Sequence, residues 1–373
     1  MTAILAVADG YRRSAFRLML RVPGARDIFV SRERRIPVAE ALCVAMATFT
    51  SLFFPVLSLW VGASLLGVPH VLSGIRHVAI RRSLHPLTKA CIAVSIAVGA
   101  LTLMRLTSGI PIFVGLFALS MGVEVLASRA GAGRRIFWLA TVALGAGAAW
   151  HWPYFFIIGV SHLHALCSMS FFSTEARRRG IRVWPLWAMS IAVIGAVLVG
   201  VLDPLFAQTT WERSLGPDEV VSILGHVAGS STPILLARSL FLYAFSQSLH
   251  YMVWLRLMPE LDRRSPVPQS FRQALAGLRR DFGRWTVPAL VLCAIGGVAM
   301  LLGGRSARDV YFVLVFFHIG LEAAGWLRLQ LNFGPGQNSK VPPNLCQCHN
   351  FGRLPDYGPG HNLRSRRDPN FVT

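Results

Sequence analysis

The sequence predicts an all-α fold: a polytopic transmembrane helical bundle of eight to ten spans, ten fitting best, with both termini in the cytoplasm. Three observations predict it. Of 373 residues, 54% are apolar and 14% charged, where a soluble domain carries about 25% charged residues; the mean hydropathy is +0.52. The apolar residues fall in long continuous runs, close to the roughly 20 residues a membrane helix needs. Arginines gather in alternate loops between those runs. This composition excludes a disordered chain and argues against a water-soluble enzyme. The continuity of the runs, in place of strict alternation, excludes a β-barrel.

Residues 1–36 come first, with Arg12, Arg13, Arg17, Arg21, Arg26, Arg32, Arg34 and Arg35 set among apolar residues. That pattern suits an amphipathic helix on the anionic cytoplasmic leaflet; a solvated basic tail is the alternative. The apolar start, Met1–Ala8, is too short for a signal peptide and has no basic region before it.

The membrane domain covers 37–330. Its runs lie near 38–57, 59–81, 87–106, 108–128, 136–151, 153–173, 183–205, 232–257, 284–303 and 309–330. The breaks near Leu57–Leu59 and at His151-Trp152-Pro153 are slight, so each pair can be one kinked element. Residues 331–373 are rich in Pro, Gly, Asn and Arg and read as a mostly disordered cytoplasmic tail. Its Cys346-Gln347-Cys348-His349 motif cannot by itself close a tetrahedral metal site.

With the N-terminus inside, Arg81 and Arg82 follow span 2, and Arg129, Arg134 and Arg135 follow span 4. Arg177, Arg178, Arg179 and Arg182 follow span 6, and Arg263, Arg264, Arg272, Arg279, Arg280 and Arg284 follow span 8. The loop 206–231 on the other side carries Glu212, Asp218 and Glu219. The positive-inside rule therefore accounts for the net charge of +20 without any nucleic-acid partner. The expected location is the bacterial inner (cytoplasmic) membrane.

Seven of the eleven histidines fall in or beside these spans. Ionisable groups inside a bilayer are costly and face the bundle interior or one another. Spans 2, 6, 8 and 10 all run inward. His70, His162, His250 and His318 lie on them at depths that agree within about 8 Å at 1.5 Å rise per residue. They are the predicted metal ligands. His77 follows His70 by seven residues and returns to within about 20° of the same face. Glu322 lies one turn from His318, and Tyr243, Gln247 and His250 make a polar stripe. His77, Glu322, Gln247 and Tyr243 are therefore supporting groups or alternative ligands. His164, two residues from His162, points about 160° away and is left out of the ligand set. For any one of these histidines, an interhelical hydrogen bond is the simpler role.

Imidazole ligands suit iron, zinc, copper and nickel, and a site at this depth favours a lipophilic small molecule entering sideways. A histidine or histidine–carboxylate site with open positions is one iron uses to activate oxygen. The expected function is a membrane-embedded oxidoreductase with a histidine-held metal, iron foremost. Haem between paired histidines is the alternative cofactor. A transporter or scaffold using intramembrane His and Glu is the alternative class.

Gly67-Val68-Pro69-His70 resembles the Gly-x-Pro-His segment of the Brp/Blh family, membrane proteins that cleave β-carotene with oxygen to give retinal, using iron held by intramembrane histidines. Ser248-Leu249-His250-Tyr251 is similar to a later histidine segment of that family. The resemblance implies that His70 and His250 are iron ligands and that a carotenoid is the substrate. After the Pro-His the family continues Gly-Ala-Leu-Asp-His, where this chain has Val71-Leu72-Ser73-Gly74-Ile75.

Overall fold

The computed structural model describes residues 2–81, 84–103, 109–208, 233–263, 270–302 and 304–332. The acidic residues of the 206–231 loop, Arg82, Arg264 and the tail motif Cys346–His349 lie outside them. Every regular element among the described residues is helical.

In chain order the α-helices are α1 (Thr2–Met19), α2 (Ala25–Val30), α3 (Arg32–Phe53), α4 (Pro55–Val61), α5 (Val68–Gly74), α6 (Pro86–Leu103), α7 (Gly109–Ala127) and α8 (Ala132–His151). They continue as α9 (Pro153–Arg178), α10 (Trp184–Leu198), α11 (Asp203–Gln208), α12 (Pro233–Met252), α13 (Met258–Asp262), α14 (Phe271–Phe282), α15 (Thr286–Leu302) and α16 (Gly304–Asn332). Three π-helical turns interrupt this order: Gly62–Gly67 and Ile75–Ile80 on either side of α5, and Val253–Leu257 after α12.

Three helices are long and apolar enough to cross a membrane: Arg32–Phe53, Pro55–Ile80 and Phe271–Leu302. They mark a membrane-associated protein. Three shorter apolar helical stretches are Pro86–Gly99, Ile112–Ala127 and Trp184–Leu198. One boundary differs from the sequence expectation. The first break falls at Phe54, not at Leu57–Leu59, because Pro55 takes the first position of α4, where its missing N–H costs nothing. The apolar run expected from residue 284 is α15, from Thr286, and the arginine-rich α14 leads into it through a short 3₁₀ turn.

Local chemistry sets the other ends. α14 starts in a capping box: the Ser270 hydroxyl accepts from the Gln273 N–H at 3.1 Å, and Gln273 Oε1 accepts from the Ser270 N–H at 2.8 Å. Asp9 of α1 also accepts from the Phe271 N–H at 2.8 Å, which joins the N-terminal helix to α14. α9 ends in a Schellman turn. Gly180 takes φ of 72°, its N–H reaches the Arg177 carbonyl at 3.0 Å, and the Ile181 N–H reaches the Ala176 carbonyl at 3.0 Å.

The centre of the bundle is built from α5 with its π turns, α9, α12 and α16, which pack on one another. These correspond to the expected spans 2, 6, 8 and 10. Phe171, Phe172, Phe241, Phe245, Leu249, Trp254, Leu257, Leu321 and Leu327 are buried there, with the Phe241 and Phe245 rings stacked at 6.0 Å. In lipid such packing, with interhelical hydrogen bonds, is what holds helices together.

One end of the bundle is an ion-pair layer. Glu260 takes Arg35, Arg256 at 2.6 Å and Arg263 at 3.1 Å. Asp262 takes Arg81 and, at 2.9 Å, Arg179. Asp281 takes Arg76 at 2.6 Å and Arg81 at 2.7 Å. The start of α3, the ends of the Ile75–Ile80 turn, α9 and α13, and the end of α14 therefore share one side. Glu124 pairs with Arg328 at 2.8 Å.

Candidate metal centre

His70 projects from α5 and is 2% exposed. Its Nδ1 lies 3.2 Å from the Leu66 carbonyl. A carbonyl only accepts, so the ring donates from Nδ1 and keeps a lone pair on Nε2. His250, at the end of α12, is fully buried, with Nδ1 3.1 Å from Ser168 Oγ. The Ser168 hydroxyl already gives its proton to the Ala165 carbonyl at 2.8 Å. His250 therefore donates to Ser168 from Nδ1, and its Nε2 is also left as a lone pair. Such partners fix which nitrogen an imidazole presents.

His318 of α16 completes the group. Its Nε2 lies 3.3 Å from Nε2 of His250 and contacts Glu322, while its Nδ1 makes no hydrogen bond within the protein. Glu322 Oε1 is also 3.5 Å from His250 Nε2. The His70 ring stands 4.5 Å from that of His318 and 5.0 Å from that of His250, centroid to centroid. One ligating atom from each of the three histidines lies within 4.8 Å of the others. Tetrahedral metal–nitrogen bonds of about 2.0–2.1 Å place ligand atoms about 3.3–3.4 Å apart, so the His250–His318 pair already has the spacing of two ligands on one ion. Lone pairs at that distance repel unless a proton or cation lies between them. The donor set of three imidazoles and one carboxylate fits a metal ion.

Of the predicted ligands, the structure brings His70, His250 and His318 together and leaves His162 aside. His162 is half-buried against Tyr243, with ring centroids 5.2 Å apart. His164, which the sequence reading turned away, is 5% exposed and lies 4.3 Å from the His250 ring. The sequence put both histidines on one helix, α9, but did not fix its rotation. The signal was the spacing His164, Ser168, Phe172, Glu175, a stripe whose members are all buried. Gln247 and Tyr243 are half-buried on α12, outside the three-histidine group.

His77 also has a different surrounding. It is 4% exposed, its Nδ1 is 3.5 Å from Asp262 Oδ2, and its ring is 6.2 Å from that of Trp254. It sits inside the Ile75–Ile80 π turn. A π turn takes more residues per revolution than an α turn, so the seven-residue step from His70 no longer returns to the same face. Burial alone would raise the Asp262 carboxyl, but His77, Arg81 and Arg179 outweigh it and hold the group below its ordinary range.

Three further residues shape the site without any sequence signal of their own. Gly74 makes room for His318: a Cβ there would meet the imidazole Cε1 at 2.5 Å. Tyr251 lies over His70, ring centroids 4.7 Å apart. Trp254 is fully buried, its ring 6.1 Å from that of His318. The π turns flank the helices that carry His70 and His250, and π segments inside helices recur at functional sites. Comparison of the chain with protein-family models, with curated proteins and with solved structures finds no match.

Proposed function

We propose that this chain is a membrane-embedded oxidoreductase in which His70, His250 and His318 hold a metal ion, and which acts on a lipophilic substrate such as a carotenoid or lipid. The observation that carries this reading is the convergence of three buried imidazoles beside Glu322. Imidazole donors suit iron, zinc, copper and nickel, and iron, the metal this reading favours, would supply oxygen activation when bound with open positions. The chain's own residues do the rest. Leu66 and Ser168 hold two imidazoles with Nε2 inward. Glu322 balances charge, and His164 stands beside His250 as a fourth imidazole. The Gly67-Val68-Pro69-His70 resemblance agrees with a carotenoid-cleaving, non-haem iron oxygenase.

In this reading the chain crosses the bacterial inner membrane ten times, with both termini and the ion-pair layer facing the cytoplasm and the N-terminal arginines resting on the anionic leaflet. Haem is a poorer fit: a bis-histidine haem needs its flat macrocycle between the two imidazoles, and His250 and His318 approach to 3.3 Å.

Metal analysis of protein purified in mild detergent tests the proposal. About one ion per chain is expected, and His70→Ala, His250→Ala and His318→Ala should each lose it. Less than about a tenth of an equivalent after loading with ferrous iron would overturn a one-ion site. Metal-free protein that carries substrate-driven proton flux would favour the transporter, and a sharp Soret band the haem protein.

A further inference from the structure

Between the candidate centre and the ion-pair layer, several buried polar atoms make no hydrogen bond within the protein: His77 Nε2, Trp254 Nε1 and His318 Nδ1. Nearly all buried polar groups in folded proteins are paired with protein or with ordered water. These three sit on neighbouring rings. Trp254 lies 6.2 Å from His77 on one side and 6.1 Å from His318 on the other. Its indole N–H is also within reach of Glu322, without a hydrogen bond of normal geometry. At the outer end, His77 Nδ1 faces Asp262, whose side chain is 23% exposed. Arg76, Arg81 and Asp281 are the other charged groups around His77.

We propose that a file of ordered water links these atoms, giving His318 and Glu322 a hydrated path to the ion-pair layer, with His77 as its gate. A buried water needs two to four polar partners, and His77 Nε2, Trp254 Nε1, His318 Nδ1 and Glu322 supply them in sequence. A proton crossing the gate arrives at Nε2 from water, and the Nδ1 proton passes to Asp262; the reverse order carries a proton inward. Protons released when histidines and a carboxylate take up a metal need such an exit. The path reaches the same residues as the proposed metal ion, and its groups are present without one, so the two ideas fail separately.

The test is solvent exchange of the Trp254 indole N–H in the metal-free, full-length protein in lipid nanodiscs. Tryptophan is labelled with ¹⁵N in the indole, and the resonance is assigned by its loss in Trp254→Phe. In D₂O the Trp254 N–H should exchange at least about 100-fold faster than the amides of Leu249 and Leu321, which report core opening. His77→Phe, which fills the gate with an apolar ring, should slow it by about tenfold or more, and His77→Gln, which keeps a polar group, should leave it within about threefold. An indole N–H as protected as those amides overturns the path. A rate indifferent to His77→Phe overturns the gate. Should His77→Phe fail to fold, the wild-type rate alone decides whether water reaches Trp254, and His77→Leu replaces it at the gate.

Discussion

Ser168 is the residue whose role is least expected from its chemistry alone. Its hydroxyl spends its one proton on the Ala165 carbonyl, which makes it an acceptor for His250. Ser168→Ala removes that acceptor, leaves the His250 Nδ1–H buried and unpaired, and frees the ring to present either nitrogen. Loss of such a supporting partner typically weakens metal affinity by about 10–100-fold. That loss is the expected outcome, measured as the shift in a zinc or cobalt titration of Ser168→Ala against wild type. Unchanged affinity would show that His250 is oriented by packing alone. The candidate ligands were legible because an imidazole or carboxylate inside an apolar run is conspicuous, and the four-residue step from His318 to Glu322 places them one turn apart. Ser168 and Gly74 were not, because a small residue in a membrane helix gives the same signal whether it packs, bonds or merely makes room.

At the scale of single elements, periodicity located the helices and misjudged their phase. Counting residues to the membrane edge put His162 and His164 at nearly one depth, and only the rotation of α9 about its axis, set by the packing of Ser168, Phe172 and Ala176, chooses between them. The π turn at Ile75–Ile80 redirected His77 in the same way, toward Asp262. That part of the structure carries its own pH prediction. Asp262 is held below its ordinary value of 3.8, against its burial, by His77, Arg81 and Arg179. Glu260 is held below 4.5, against burial, by Arg263, Arg256 and Arg35. A carboxylate with a depressed folded-state pKa stabilises the fold above its unfolded pKa and loses that contribution as pH falls through the folded one. Thermal midpoints in detergent should therefore stay level from about pH 7 to 5 and fall steadily below about pH 4.5. Asp262→Asn should start roughly 2–4 °C lower at neutral pH and fall less steeply in acid. A variant that runs parallel to wild type over the whole acid range would remove Asp262 from the account.

For the whole molecule, the ion-pair layer bears on topology. Arg81 follows the second expected span, Arg179 the sixth and Asp262 the eighth, while Arg35 begins the first and Asp281 precedes the ninth. All meet through shared carboxylates at one end of the bundle. In the proposed ten-span arrangement these segments all lie on one side of the membrane, with an even number of crossings between each and the next. Composition and arginine placement in the sequence suggest that same parity. They left open which helices pack on which, since apolar side chains lining a core and facing lipid look alike when the solvent is itself apolar. The parity and the positive-inside rule together predict an outcome in cells. In a variant whose native cysteines are replaced, Arg177→Cys, at an exposed position beside the layer, should react with a membrane-impermeant maleimide only after the cells are opened. Trp152→Cys, exposed at the junction of α8 and α9 at the other end of α9, should react in intact cells. Reaction of both from outside would break the ten-span arrangement. Reaction in the reverse order would keep the bundle and turn it over, placing the arginine layer, and with it His77, on the outer face.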